Sequence, residues 1–239
     1  MVTMHADRAA IEANVAAVFE NLAGACERSG RDPASVTLVA AAKTQPIERV
    51  RAVVQAGVSC VGHNYVRELR EQHDAVPDAR WHYIGALQTG TAHHVAALAD
   101  VVETAAAGRA TERLARRAGE AGRTVDVLIE VDFTERRTGV PPDQVAAVAE
   151  SVAGLAGLRL RGLMTVPPAG RTSDDARPWF RRLREIRDAL AQNHPDMVDL
   201  SMGMSLDYEA AVEEGATMVR IGTALFGPRQ PIGTPQGPA

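Results

Sequence analysis

Eight short apolar runs, each followed by a helical pattern, constrain this chain more than any other feature. The runs cover residues 36–42, 60–62, 81–84, 101–103, 125–131, 158–166, 198–201 and 217–221. Helices are expected between them over 47–56, 65–73, 91–98, 109–121, 142–153, 176–192 and 208–214. One further helix, over 8–29, precedes the series, with Ile11, Val15, Val18 and Leu22 at helical spacing. Strands that alternate with helices imply a parallel sheet. Eight units in 239 residues fit an α/β fold with one closed (β/α)8 barrel of the TIM type and an extra N-terminal helix. An open doubly wound sheet remains the alternative, because the runs at 101–103 and 198–201 are weak. No linker or composition shift divides the chain, so residues 1–227 read as one domain. Residues 228–239, rich in Pro and Gly, read as a mobile tail.

The chain is 46% hydrophobic and 23% charged, a globular rather than a disordered balance. Only 4% is aromatic, so the core must come mainly from Ala, Val, Leu and Ile. A net charge of -4 argues against a nucleic-acid-binding surface. Cys26 and Cys60 make no disulfide framework. The first eight residues lack the apolar core of a secretory signal, and no stretch is long enough to span a bilayer. These features predict a cytoplasmic protein with reduced thiols. His93 and His94 are adjacent on a helix and face different directions, and no Cys/His/Asp cluster has zinc spacing, so no metal is expected. Arg181, Arg182, Arg184 and Arg187 read as the solvated face of a long helix.

Of the 26 basic residues, 25 are arginine and one, Lys43, is lysine. Arginine cannot do amine chemistry, so any reaction that needs a lysine amine is confined to Lys43. Lys43 follows the first apolar run, at the barrel rim where catalytic groups collect. Ala40, Ala41 and Ala42 beside it leave room for a planar ligand and shield the amine in part from water. Such shielding favours the nucleophilic form. A solvated rim lysine in an arginine-biased chain has the same position.

The last run places Arg220 inside a strand and Gly222-Thr223 at its end. A buried arginine needs partners, and the Gly-Thr pair is either an ordinary turn or the opening of a short helix whose free N–H groups bind phosphate. The loop Ser201-Met202-Gly203-Met204-Ser205 adds a hydroxyl beside glycine after strand seven. Strands one and eight are neighbours in a closed barrel. A ligand with an aldehyde at one end and a phosphate at the other, such as pyridoxal 5'-phosphate (PLP), would bridge Lys43 and this cradle. Asn64 either hydrogen-bonds a phenolic oxygen of the ligand or is a plain turn residue. His82 either packs on a ring or is a satisfied core histidine.

Several segments carry a resemblance: Ala42-Lys43-Thr44, Gly62-His63-Asn64-Tyr65-Val66-Arg67-Glu68, Trp81-His82-Tyr83-Ile84-Gly85 and Gly162-Leu163-Met164-Thr165-Val166-Pro167. Leu200-Ser201-Met202-Gly203-Met204-Ser205 and residues 218–227 complete it. In this order they resemble the PLP homeostasis protein family, over nearly the whole chain. The resemblance implies a barrel similar to the N-terminal domain of alanine racemase, usually monomeric, with PLP held on Lys43 as an internal aldimine. It implies that Ser205, Gly222 and Thr223 bind the phosphate, that Arg220 faces the pyridine nitrogen, and that Asn64 lies near the ring; His82 and Met204 are also expected among the cofactor-binding residues. It links such proteins to control of PLP levels, with PLP-dependent apoenzymes as conceivable recipients. The sequence departs from the family at His63, commonly Glu, at Ala86, at Gly90-Thr91 and at Leu206, commonly Asp. With one lysine, no relay of PLP through other lysines of the chain can operate.

The residues also bear on turnover. An arginine at the pyridine nitrogen accepts no proton, so the ring is a weaker electron sink than one facing a carboxylate. Racemisation needs an acid/base on each face, and the tyrosine that serves the second face in alanine racemase comes from a second domain, which a single-barrel reading of this chain does not provide. A PLP-binding regulator or carrier without substantial turnover is therefore the expectation. A slow PLP-dependent racemase or lyase is the alternative. A Schiff-base lyase acting on a sugar phosphate without PLP is a third reading.

Overall fold

The computed structural model describes residues 2–134 and 138–228. Its eight strands are β1 (Thr37–Ala41), β2 (Cys60–His63), β3 (Arg80–Tyr83), β4 (Val101–Ala105), β5 (Val125–Val131), β6 (Leu158–Thr165), β7 (Asp199–Ser201) and β8 (Met218–Ile221). They pair in parallel and in chain order, and β8 returns to β1 through Thr37↔Met218, Leu38↔Val219, Val39↔Arg220 and Ala40↔Ile221. Closure excludes the open-sheet alternative. The expected tail lies outside the described residues from position 229 onward.

Nine helices accompany the strands among the described residues: α1 (Val2–Arg28), α2 (Ile47–Gln55), α3 (Val66–His73), α4 (Ala92–Leu98), α5 (Arg109–Glu120), α6 (Val145–Ala153), α7 (Arg177–Ala191), α8 (Tyr208–Glu213) and α9 (Thr223–Phe226). α1 is the extra N-terminal helix. Its stripe of Ile11, Val15, Val18 and Leu22 is at most 4% exposed. Burying each such side chain contributes about 1.5–3 kcal/mol. Arg28 then ties the helix end to Glu213 and Glu209 of α8, at 2.7 and 2.9 Å. No helix among the described residues is long and apolar enough to cross a membrane.

Three sequence readings change in detail. α1 begins at Val2 rather than at residue 8. β4 runs two residues past 103, because Glu103 is an interior residue of the strand rather than its end. Of the arginines read as the solvated face of α7, Arg182 is exposed and pairs with Glu185 of its own helix at 3.2 Å, but the other three reach neighbouring elements. Arg181 pairs with Glu214 at 3.0 Å, Arg184 donates to the Glu214 carbonyl at 2.7 Å, and Arg187 donates to the Val198 carbonyl at 2.6 Å. They fasten α7 to the end of α8 and the start of β7.

The barrel interior is more polar than its shell. Leu128, Met164 and Met218 form a small apolar cluster separate from the main core between strands and helices. At the N-terminal mouth, Arg80 and Arg159 share Asp126, and Arg161 pairs with Asp199. Above them lies a second polar layer, which supports the site.

Candidate functional site

A cavity of about 250 Å³ opens at the C-terminal mouth, lined by the ends of β1, β2, β7 and β8. Lys43 and Asn64 line one part of it; Met204, Ser205, Arg220, Gly222 and Thr223 line the rest. Seven of the eight expected site residues thus meet in one place. Gln45 and Leu206, which sequence reasoning did not assign to the site, line it too.

Lys43 sits in the tight turn after β1, where the Gln45 N–H donates to the Ala42 carbonyl at 3.0 Å. Its side chain is half-buried, and Nζ lies 5.0 Å from the centroid of the Tyr65 ring. Asn64 follows β2 and donates from Nδ2 to the Ile84 carbonyl at 3.3 Å. Its backbone packs so closely on Gly85 that a Cβ there would sit 2.0 Å from the Asn64 carbonyl oxygen. Only glycine lets these two loops meet.

The opposite wall is built by α9 and the loop after β7. The first N–H groups of any helix lack acceptors within it. Here Ser205 Oγ accepts from the Ala224 N–H at 3.2 Å, so its hydroxyl stands beside the Gly222-Thr223 end of α9. The other end of α9 is capped: Asn14 donates to the Leu225 carbonyl at 3.0 Å, and the Arg49 guanidinium donates to the Phe226 carbonyl. Arg49 also donates to Gln45 Oε1 at 2.7 Å, linking α9 to the Lys43 turn. Gly203 has a φ of 96°, and a Cβ there would lie 2.5 Å from the Ala211 Cβ, so the loop that presents Met204 and Ser205 requires glycine.

Arg220 forms the floor. It is 5% exposed and donates to the Thr165 carbonyl at 2.7 Å, to Ser201 Oγ, and to Glu103 Oε2 at 3.4 Å. Ser201 Oγ donates to the same carboxylate oxygen at 2.6 Å. The second carboxylate oxygen, Oε1, meets His82 Nδ1 at 2.7 Å. His82 therefore does not line the cavity; it is a fully buried histidine of the supporting layer. Burial works against the imidazolium, but Cys60 and Glu103 outweigh it and lift the His82 pKa to about 9. The Cys60 thiol interacts with the ring electrostatically without meeting Nε2 in hydrogen-bonding geometry. Burial alone would push Glu103 up, yet His82, Arg220 and Ser201 hold it below the usual carboxylate range. The His82 ring and the Arg220 guanidinium thus share one buried carboxylate beneath the cavity.

Sequence reasoning missed Glu103 and gave Ser201 no part in this layer. For Glu103 the available signal was a charged residue inside an apolar run, the argument already applied to Arg220.

Comparison with known proteins agrees with this fold. The family model described as the alanine racemase N-terminal domain matches residues 7–230. The pyridoxal phosphate homeostasis protein of Aquifex aeolicus (strain VF5) is 38% identical over 218 residues, 89% of this chain and 96% of that protein. That of Escherichia coli (strain K12) is 36% identical over 225 residues, 90% and 95% of the two chains. Among solved structures, PipY of Synechococcus elongatus PCC7942 with PLP bound superposes with a TM-score of 0.77 at 34% identity, covering 88% of this chain and all (100%) of that one. An alanine racemase of Clostridium difficile 630, at 13% identity and a TM-score of 0.73, covers 92% of this chain and 60% of its own, and shares the fold.

Proposed function

The chain belongs to the alanine racemase N-terminal-domain family and, within it, to the pyridoxal phosphate homeostasis proteins, and on that premise we propose that it binds PLP covalently through Lys43 and serves PLP homeostasis. One observation carries the proposal. The sole lysine of the chain shares a cavity of about 250 Å³ with a hydroxyl and a helix N-terminus suited to phosphate.

The residues present fit the group. When bound, PLP supplies an aldehyde that condenses with a primary amine and a conjugated ring that draws electrons. Lys43 offers the amine. Ser205, Gly222 and Thr223 offer a hydroxyl and backbone N–H groups to the phosphate, with Met204 beside them. Asn64 offers a side-chain amide toward the ring. Arg220 offers N–H donors to the pyridine nitrogen and, being permanently charged, takes no proton from it. His82 acts from below, through Glu103, rather than on the ring.

Binding rather than turnover is the role this lining favours. Among the described residues that line the cavity, Lys43 and Arg220 are the only ionisable ones. A racemase needs a second proton-transfer group opposite the lysine. Tyr65 lies over Nζ and is not part of the lining. The chain is read as a monomeric cytoplasmic carrier or regulator, its PLP-binding unit spanning residues 1–227, with PLP-dependent apoenzymes as the recipients.

The test is the visible absorbance of wild type and Lys43→Ala with added PLP. A band of lysine-bound cofactor in the wild type and none in the variant is expected. No band in either, with PLP in excess, overturns the proposal and points to a sugar phosphate as the carbonyl ligand. Steady exchange of amino-acid α-hydrogens with deuterated water, abolished by Lys43→Ala, overturns the non-catalytic role.

A further inference from the structure

The turn that carries Lys43 is held by side chains that do not line the cavity. Thr44, the next residue, has a φ of 63°. A β-branched residue enters this left-handed region only when its surroundings impose it. Two side chains of α3 grip the turn. The Thr44 N–H donates to Glu68 Oε2 at 3.3 Å, and Gln72 Nε2 donates to the Gln45 carbonyl at 2.8 Å. Both grips meet at His63, the last residue of β2. Its Nε2 lies 3.1 Å from Gln72 Oε1, and its Nδ1 lies 3.5 Å from Glu68 Oε2.

The direction of each bond follows from donor and acceptor counting. The Gln72 amide nitrogen is committed to the Gln45 carbonyl, so its oxygen faces the imidazole. Nε2 therefore carries the ring proton and donates it. Burial holds the His63 pKa below its usual value, against Glu68 and Gln72, so the ring is neutral. Nδ1 lies beside the Glu68 carboxylate without a hydrogen bond, so the hold of His63 on the turn runs through Gln72. Glu68 is left to accept the Thr44 N–H. The ring itself is fully buried and stacks on Trp81, with centroids 5.7 Å apart and planes 14° from parallel. An apolar ring would make that stack without burying two polar nitrogens. Nε2 is therefore explained by what it holds, the Gln72 amide, not by packing.

We infer that His63 is a positioning residue for the Lys43 amine: with Glu68 and Gln72 it clamps residues 43–45 in the left-handed turn that delivers Nζ to the cavity. This rests on the reading of Lys43 as the covalent anchor of PLP. A long flexible side chain reaches a fixed electrophile faster when its backbone is already set. The clamp ties β2 and α3 to the turn after β1 and sets that backbone before any ligand arrives.

His63→Phe keeps the stacked ring and removes both polar contacts. Gln72→Met keeps volume and removes both of its bonds. His63→Gln retains an N–H for Gln72 Oε1. The readouts are the rate of PLP uptake and the NMR signal of Lys43 after reductive ¹³C-methylation of PLP-free protein. With one lysine, that signal has only the N-terminal amine beside it. His63→Phe and Gln72→Met are expected to slow uptake about tenfold, the fold-change that losing one or two buried hydrogen bonds supports. Both are also expected to move the Lys43 signal, and His63→Gln to restore rate and signal. Wild-type uptake and an unmoved signal in folded Gln72→Met or His63→Phe overturn the inference. If wild type takes up no PLP, the proposed function fails, while the Lys43 signal still decides the clamp.

Discussion

Glu103 and His82 face each other at 2.7 Å in the barrel interior, with no exposed side-chain surface on either. The pair makes stability depend on pH on the alkaline side. His82 is opposed by burial but raised by Cys60 and Glu103 to about 9, above the ~6.5 of an unfolded histidine. A raised histidine gives its full stabilisation below the unfolded value and loses it as pH rises through the folded one. The melting temperature of the PLP-free protein is therefore expected to fall between about pH 6.5 and about pH 9. A flat profile across that window would contradict the imidazolium assignment. At the acid end Glu103, held low by His82, Arg220 and Ser201 against burial, loses its contribution as pH drops below about 4.5 and through its folded value.

Replacing the shared carboxylate tests the same layer by composition. Glu103→Gln keeps the volume and leaves Arg220 and His82 without a countercharge. Breaking a buried ion pair from one side costs about 3–5 kcal/mol. Urea unfolding of the variant should show a loss of that order. The alkaline fall in melting temperature should also shrink, because Glu103 no longer favours the charged ring and only Cys60 still does. A loss within the range of a surface substitution would show that the layer is neutral.

The loop after β7 offers a different test. Gly203→Ala places a Cβ 2.5 Å from Ala211 at a φ of 96°. Overpacking of this kind costs about 1–3 kcal/mol. Because Met204 and Ser205 move with that loop, PLP retention in dialysis should drop along with thermal stability. A variant that loses stability but keeps PLP as tightly as wild type would remove this loop from the phosphate site.

Ser205→Ala separates binding from folding. Ser205 is half-buried, and its hydroxyl accepts one bond from the Ala224 N–H. Losing it should cost the fold about 1 kcal/mol or less. PLP affinity should fall further, by about five- to tenfold, measured by titrating absorbance, since the hydroxyl is also read as a phosphate donor. Unchanged affinity would place the phosphate elsewhere.

The sequence alone determined the strand–helix alternation, because parallel strands buried on both faces read as apolar runs whatever their neighbours. It determined that Lys43 is the only lysine amine available, since that is a count. It marked Gly222-Thr223 as a possible helix opening, a matter of local turn chemistry. It shortened β4 at Glu103, because a buried carboxylate looks like a strand end until its partners are known. Those partners, His82, Ser201 and Arg220, lie 21, 98 and 117 residues away in the chain. Only barrel closure, which sets β3, β4, β7 and β8 around one interior, makes them one cluster. The grip of Glu68 and Gln72 on the Lys43 turn was likewise decided in three dimensions. Hydrogen bonds depend on where side chains end, and sequence spacing fixes that within one element but not between elements.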